Sequence, residues 1–254
     1  MIFVLAGTGD ARELAIALNR AGFPLLASVA TDSAARSLGE AGVPTRVGKL
    51  TAPEMVDLWK GKGVRMVVDA SHPFAEEAHR QAMRAAETLG VPYLRFERAV
   101  TRYDGPITWV SGYEEAAEVA FEKKGSIFLA TGGKTLAIFA RRLLGQPDIR
   151  LVVRLLPRAD NLEQCAALGI PQRDIVAMQG PFSRELNQAL FRHFETTLMV
   201  TKDSGEAGGV DEKIEAAWDL GIEVVMIERP PIAYGHMFSD PDALIREVSR
   251  QYVV

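Results

Sequence analysis

The chain has 254 residues, 48% of them apolar, with 29 basic and 33 acidic side chains and a net charge of −4. This size and apolar content suit one large or two small α/β cores, and the acidic balance argues against a general nucleic-acid footprint, so the expected partner is a small molecule. The single cysteine, Cys165, excludes an intramolecular disulfide or a cysteine-rich metal site, and no apolar run nears the ~20 residues of a membrane span, so a cytoplasmic protein with no metal and no membrane contact is expected.

In chain order, four apolar residues, Ile2 to Leu5, run into Gly7-Thr8-Gly9, and Leu14, Ala15, Leu18 and Ala21 then recur at helical spacing. The pattern predicts strand, glycine turn, helix. Such a turn allows close backbone approach with positive φ, and the helix start offers free amides to a pyrophosphate. The dinucleotide fingerprint is incomplete, because Arg12 stands where a third glycine belongs. Pro24 to Ala30 supplies a second strand, with Thr31 a cap for the next helix. Asp32 there favours a ribose hydroxyl and Arg36 a 2′-phosphate, so these residues leave the cofactor open. Thr45 to Gly48 is a short strand, Ala52 to Trp59 a helix, and Val64 to Asp69 a near-continuous apolar strand typical of a parallel sheet. It ends in Asp69-Ala70-Ser71-His72-Pro73-Phe74, with Pro73 placed in the first turn of a helix that runs to about Leu89. Ligands in open α/β sheets bind outside the carboxyl ends of strands, so this cluster and the first glycine turn are expected to share a crevice. Pro92 to Phe96 is a fifth strand.

The polar stretch Val100 to Pro106 marks the expected boundary between residues 1–103 and 104–254. Beyond it the alternation restarts with Ile107 to Val110 as strand, Tyr113 to Lys123 as helix, Ser126 to Ala130 as strand, and a second glycine turn, Thr131-Gly132-Gly133-Lys134, that lacks P-loop spacing. Arg150 to Leu155, Ile175 to Met178 and Thr197 to Thr201 are further strands separated by helices. Lys202-Asp203-Ser204-Gly205 follows the last of these. Glu223 to Ile227 reads as the final strand, and Asp240 to Gln251 as a terminal helix of the second domain. The fold class is therefore α/β, with two Rossmann-like, mainly parallel open sheets.

Several stretches together resemble the precorrin-6A reductase family, which includes cobalt-precorrin-6A reductases. They are GTGDAR (7–12), DASHPFA (69–75), GVPYLRFER (90–98), FLATGGK (128–134), QGPF (179–182), TKDSG (201–205) and ERP (228–230), covering nearly the whole chain. The resemblance implies an oxidoreductase of cobalamin biosynthesis that uses a reduced nicotinamide cofactor to reduce one macrocycle double bond of precorrin-6A, giving precorrin-6B. It also implies a cofactor cleft between two Rossmann-like domains. NADP(H) is the expected cofactor, resting mainly on the family, with NAD(H) the alternative.

Expected cofactor residues are Gly7, Thr8, Gly9, Asp10, Arg12, Thr31, Arg36, Ser71, His72, Pro73, Thr131 and Gly132. The tetrapyrrole carries many carboxylates, so Arg98, Arg154, Lys202, Lys213 and Arg229, near strand ends or helix starts, are the expected cations, with Ser204 and Gly205 beside them. The stretch Thr201 to Gly209 is expected to close over the substrate. Proton donation falls to Lys202 or His72, with Asp203 third. Two rivals remain: a dehydrogenase or epimerase of a small alcohol or sugar, for which no Tyr-x-x-x-Lys pair follows the glycine turn, and a non-catalytic dinucleotide sensor.

Overall fold

The first half folds as β1 (Ile2–Leu5), α1 (Gly9–Arg20), β2 (Leu25–Val29), α2 (Asp32–Glu40), β3 (Thr45–Val47), α3 (Ala52–Lys62), β4 (Met66–Asp69), α4 (Glu76–Leu89) and β5 (Tyr93–Phe96). This is a computed structural model, describing residues 1–99, 103–205 and 209–252. Local chemistry sets the boundaries. Thr8 and Thr31 cap α1 and α2 through their hydroxyls, Thr51 and Glu54 form a capping box on α3, and Gly63 and Gly90 end α3 and α4 in the left-handed conformation. One difference from the sequence reading is that α4 starts at Glu76, so Pro73 lies in a turn ahead of the helix rather than in its first turn.

The second half folds as β6 (Thr108–Val110), α5 (Tyr113–Lys123), β7 (Gly125–Leu129), α6 (Leu136–Leu143), β8 (Ile149–Leu155), α7 (Ala159–Ala167), β9 (Ile175–Ala177), α8 (Arg184–His193), β10 (Leu198–Lys202), α9 (Val210–Asp219) and β11 (Glu223–Ile227). The chain then adds β12 (His236–Phe238) and α10 (Pro241–Gln251). Two six-stranded sheets result, in the orders β12-β5-β4-β1-β2-β3 and β6-β11-β10-β7-β8-β9, with every described pairing parallel.

Glu223 to Ile227 is therefore not the last strand, and the terminal helix does not belong with the second half. One unit comprises Met1–Ala99 and Pro231–Val254, the other Val100–Pro230. The reason is packing. β12 pairs with β5, His236 opposite Leu94 and Phe238 opposite Phe96, while Leu244 and Val248 of α10 enter the core formed by Ile2, Val4, Leu14, Leu18, Leu94 and Phe96. Each sheet is wound in both directions from a central strand, β1 in the first unit and β7 in the second. The order thus reverses between β1 and β4, and again between β7 and β10, opening a crevice at the carboxyl ends of each pair.

Candidate functional site

At the first unit's reversal point, Leu5 and Asp69 are partners in register, Ala70 N donates to Leu5 O at 3.0 Å, and Thr8 Oγ1 donates to Ala70 O at 3.5 Å. The GTG turn and the Ser71-His72-Pro73 turn are neighbours. Gly7 and Gly9 are exposed, and a Cβ at either would meet nothing within 4 Å. Neither has positive φ, so the glycines serve here by leaving open space rather than by adopting a left-handed backbone. The first helical donor of α1 is Arg12 N to Thr8 O, and the Thr8 hydroxyl takes Ala11 N, which leaves the amides of Gly9 and Asp10 to the crevice. Asp10 pairs through Oδ2 with Arg98 Nε at 3.3 Å, while its Oδ1 is buried with no partner among the described residues. Open glycines, unspent amides and an orphaned acceptor fit a dinucleotide's phosphates and hydroxyls.

Below this turn lies a buried polar network. Asp69 accepts from Ser71 N and Oγ (2.9 and 2.6 Å) and Tyr93 OH (2.5 Å), and pairs with His79 Nδ1 (2.7 Å) and Arg95 (3.3 Å). Burial alone would raise the Asp69 carboxyl, but the His79 ring, the Arg95 guanidinium and the Ser71 hydroxyl outweigh it and hold it well below the usual carboxylate range. Burial and the Asp69 charge push the Tyr93 phenol upward, and burial takes Tyr234 up to about 12.

In the second unit Val153, Leu129 and Val200 are partners in register, with Arg154 of β8 and Thr201 of β10 the next residues on and Lys202 closing β10. Arg154 is buried, donates to Asn187 Oδ1 at 2.6 Å and lies over the Phe182 ring at 4.2 Å. Burial alone lowers it to about 10. Lys213, buried on α9, is lowered to about 7 by burial and then by Arg154 and Lys202, and Lys202 to about 8 by burial and Lys134. The hydroxyls of Thr131 and Thr201 are buried without partners among the described residues. Buried cations gathered this closely give the site a positive potential that favours an anion. Asp203 is engaged by Arg229, Nε to Oδ2 at 2.8 Å and NH2 to Oδ1 at 3.2 Å.

Gly7, Thr8, Gly9, Asp10, Ser71, His72 and Pro73 thus share one crevice. Arg98, expected on the substrate side, belongs to the first unit and binds Asp10 at that crevice. Thr131 and Gly132, expected with the cofactor, lie in the second unit at its own reversal point, where Lys202, Ser204 and Gly205 also sit. Arg12 reaches Ser37 of α2 at 3.1 Å, and Arg36 is exposed on that helix. The Thr31 hydroxyl is spent on Ala34 N. Residues 206–208 of the expected Thr201 to Gly209 loop, and residues 100–102 of the boundary stretch, lie outside the described residues. Sequence reasoning missed His79, Tyr93, Arg95, Glu97 and Tyr234. A signal existed in Tyr93-Leu94-Arg95-Phe96, because a charge inside a strand covered on both faces needs buried partners. It also missed Arg46, held at the edge of β2 by Ser28 Oγ (2.8 Å) and the carbonyls of Gly48 and Val47.

Among the described residues no cluster of histidine, cysteine or carboxylates could hold a metal, and no helix is long and apolar enough to cross a membrane. Doubly wound sheets with an open helix start at one reversal point and gathered cations at the other are the architecture of α/β proteins that bind dinucleotides and other anionic ligands, dinucleotide-dependent oxidoreductases among them. Comparison with known proteins makes the class particular. The family model described as precorrin-6x reductase CbiJ/CobK matches residues 1–249, and the chain belongs to this family. It is 50% identical over 253 residues to the cobalt-precorrin-6A reductase of Priestia megaterium, covering 99% of each chain. It is 31% identical over 234 residues to the precorrin-6A reductase of Rhodobacter capsulatus, covering 91% of this chain and 88% of that one. The solved structure of a CobK precorrin-6A reductase matches with a TM-score of 0.83 at 27% identity, covering 100% of this chain and 97% of that one. A reductase of this family uses a nicotinamide cofactor.

Gly9→Val is expected to leave the fold intact, since a Cβ there meets no atom and φ is unstrained, while weakening cofactor binding about tenfold or more by occupying the phosphate's approach. Calorimetric titration of the folded variant with cofactor checks this, and an unchanged affinity removes the pyrophosphate from this turn.

Proposed function

We propose that this chain reduces one macrocycle double bond of cobalt-precorrin-6A, or of its metal-free form precorrin-6A, to the 6B level in cobalamin biosynthesis, with NADP(H) as cofactor. The cobalt-containing substrate is favoured by the relative at 50% identity, whose name carries it. The structural observation that carries the reading is the gathering of Arg154 and Lys202, at the ends of β8 and β10, with Lys213 of α9 in a chain of net charge −4. A polycarboxylate macrocycle is an anion of the kind such a pocket needs.

A bound reduced nicotinamide supplies the hydride. Gly7, Gly9 and Asp10 hold the pyrophosphate through open backbone and amides, with Thr8, Ser71, His72 and Pro73 lining the same crevice. Arg36 of α2, with Arg12 of α1 bound to Ser37 of that helix and Arg46 of β3 bound to Ser28 of β2, favours a 2′-phosphate over a bare ribose, and Thr31 opens the helix that carries Arg36. Arg154, Lys213 and Arg229 anchor carboxylates of the substrate, with Ser204 and Gly205 at the same strand end. Lys202 delivers the proton that completes the addition. Desolvation and Lys134 bring it to about 8, within reach of neutral pH. His72 is the alternative donor. Asp203 is placed as the acceptor that orients Arg229 rather than as an acid, because both its oxygens receive from that guanidinium.

The test follows cofactor absorbance after adding cobalt-precorrin-6A or precorrin-6A, with NADPH and NADH in turn. Tetrapyrrole-dependent oxidation is expected, faster with NADPH. Failure with every pair removes the reading and leaves the non-catalytic sensor. Lys202→Ala is expected to cut turnover by about 100-fold with cofactor affinity nearly intact. In the parent, turnover should fall as pH rises through about 8, where Lys202 loses its proton. Loss of cofactor binding in Lys202→Ala, with normal kinetics at saturating cofactor, moves this residue to the nicotinamide side.

A further inference from the structure

The buried network beneath the Ser71-His72-Pro73 turn takes no part in that scheme, yet it holds the turn from below. His79, fully buried on α4, presents Nδ1 to Asp69 Oδ2 at 2.7 Å and Nε2 to the carbonyl oxygen of His72 at 3.1 Å. Arg95, fully buried on β5, donates from NH1 to the carbonyl oxygens of Asp69 (3.0 Å) and Ser71 (2.8 Å), and from NH2 to Glu97 Oε2 at 2.6 Å. Two side chains therefore bind the carbonyls of Asp69, Ser71 and His72 where β4 gives way to the turn, and the His72 carbonyl also takes Ala75 N at 2.7 Å. Tyr234 closes the network, edge-on to the His79 ring at 5.3 Å and under the Arg95 guanidinium at 5.1 Å.

Burying this many ionisable groups costs more than filling the same volume with apolar side chains, so stability alone is a weak account of the arrangement. Its geometry is specific in another way: both ring nitrogens of His79 and the NH1 of Arg95 end on the backbone of the turn or on Asp69, which itself receives Ser71 N, while Glu97 holds the rest of the Arg95 guanidinium. We propose that His79 and Arg95 are positioning residues for the nicotinamide cofactor. They set the backbone of the Ser71-His72-Pro73 turn and so govern cofactor affinity, although neither is exposed to touch the cofactor. The inference rests on the reading that this turn lines the cofactor crevice.

The experiment compares three variants by cofactor affinity (calorimetry with NADPH), by substrate KM and kcat at saturating cofactor, and by thermal midpoint. His79→Gln can span only one of the two contacts, and should raise the cofactor Kd about tenfold while substrate KM and kcat stay within about twofold. Trp59→Phe supplies the stability control. Trp59 is fully buried in the core with Phe3, Met55 and Val67, its ring 5.1 Å from that of Phe3, and the smaller phenyl leaves a void there that should lower the midpoint with the cofactor Kd unchanged. His72→Trp adds bulk to the turn itself and should weaken the cofactor directly. If His72→Trp binds cofactor as the parent does, the turn does not line the crevice and the underlying reading falls. If His72→Trp is weakened but His79→Gln is not, or if Trp59→Phe weakens the cofactor as much for the same loss of midpoint, the positioning role itself is overturned.

Discussion

Asp69→Asn is expected to destabilise the first unit by about 3–5 kcal/mol, the range for removing one partner from a buried ionic cluster. Every group facing this carboxylate is a donor or a cation: Ser71 N and Oγ and Arg95 on Oδ1, His79 and Tyr93 on Oδ2. An asparagine keeps the shape but turns an NH2 toward one of these sets, so at least one buried donor loses its acceptor and Arg95 loses a counter-charge. Urea unfolding monitored by a probe in the first unit measures the loss. Ser71→Ala, which removes one hydroxyl bond, should cost only about 1 kcal/mol. The pH dependence has a definite sign. The folded carboxyl lies below its ordinary 3.8, so its contribution is complete above that value and is lost as pH falls further, when the folded state too must take up the proton. Asp69→Asn should lack that acid limb. A variant within about 1 kcal/mol of the parent would show that the network is held by its other members.

Lys213→Met should move stability the other way. The buried ammonium is brought to about 7 from 10.5, first by burial and then by Arg154 and Lys202. Between these values the unfolded chain binds a proton that the folded protein does not, so parent stability rises with pH across the window, and the full penalty is present below it. Methionine fills the same volume without charge. The variant should be more stable than the parent by roughly 2–4 kcal/mol near pH 6, with the difference shrinking as pH approaches 10. Substrate affinity should fall, because the group that strains the fold is the one assigned to the anion. Denaturant midpoints of both proteins at several pH values test this, and equal stability at pH 6 sinks it.

Most of the architecture is legible in the sequence because parallel strands covered on both faces write themselves as apolar runs. Ile2 to Leu5, Met66 to Asp69 and Leu198 to Lys202 are such runs, each followed by a turn rich in glycine or small polar residues. That the GTG and Ser71-His72-Pro73 turns are neighbours followed from the rule about strand ends, and the register of Leu5 with Asp69 sets them side by side. The three-residue edge strand His236–Phe238 was not legible. Its residues are exposed or half-buried and too few to show a period, so pairing with β5 decides its state rather than local preference. His79 shares the buried face of α4 with Ala82 and Ala86, where a periodicity search counts it as an interruption. The clustering of Arg154 with Lys213 was invisible for a different reason: β8 and α9 are brought to one face only by the tertiary fold.

The return of the chain to its first sheet has a consequence for the order in which the protein is made. On the ribosome, β1 to β5 emerge long before β12 and α10, so until these follow the first sheet has an open edge at β5 and its core lacks Leu244 and Val248. An uncovered parallel strand is a template for wrong pairing. The second unit, contiguous in sequence, can close first, and the N-terminal one is completed last, by a contact of high sequence separation that slows the final step. The turns after β1 and β4 are thus made well before the strand and helix that complete the sheet carrying them.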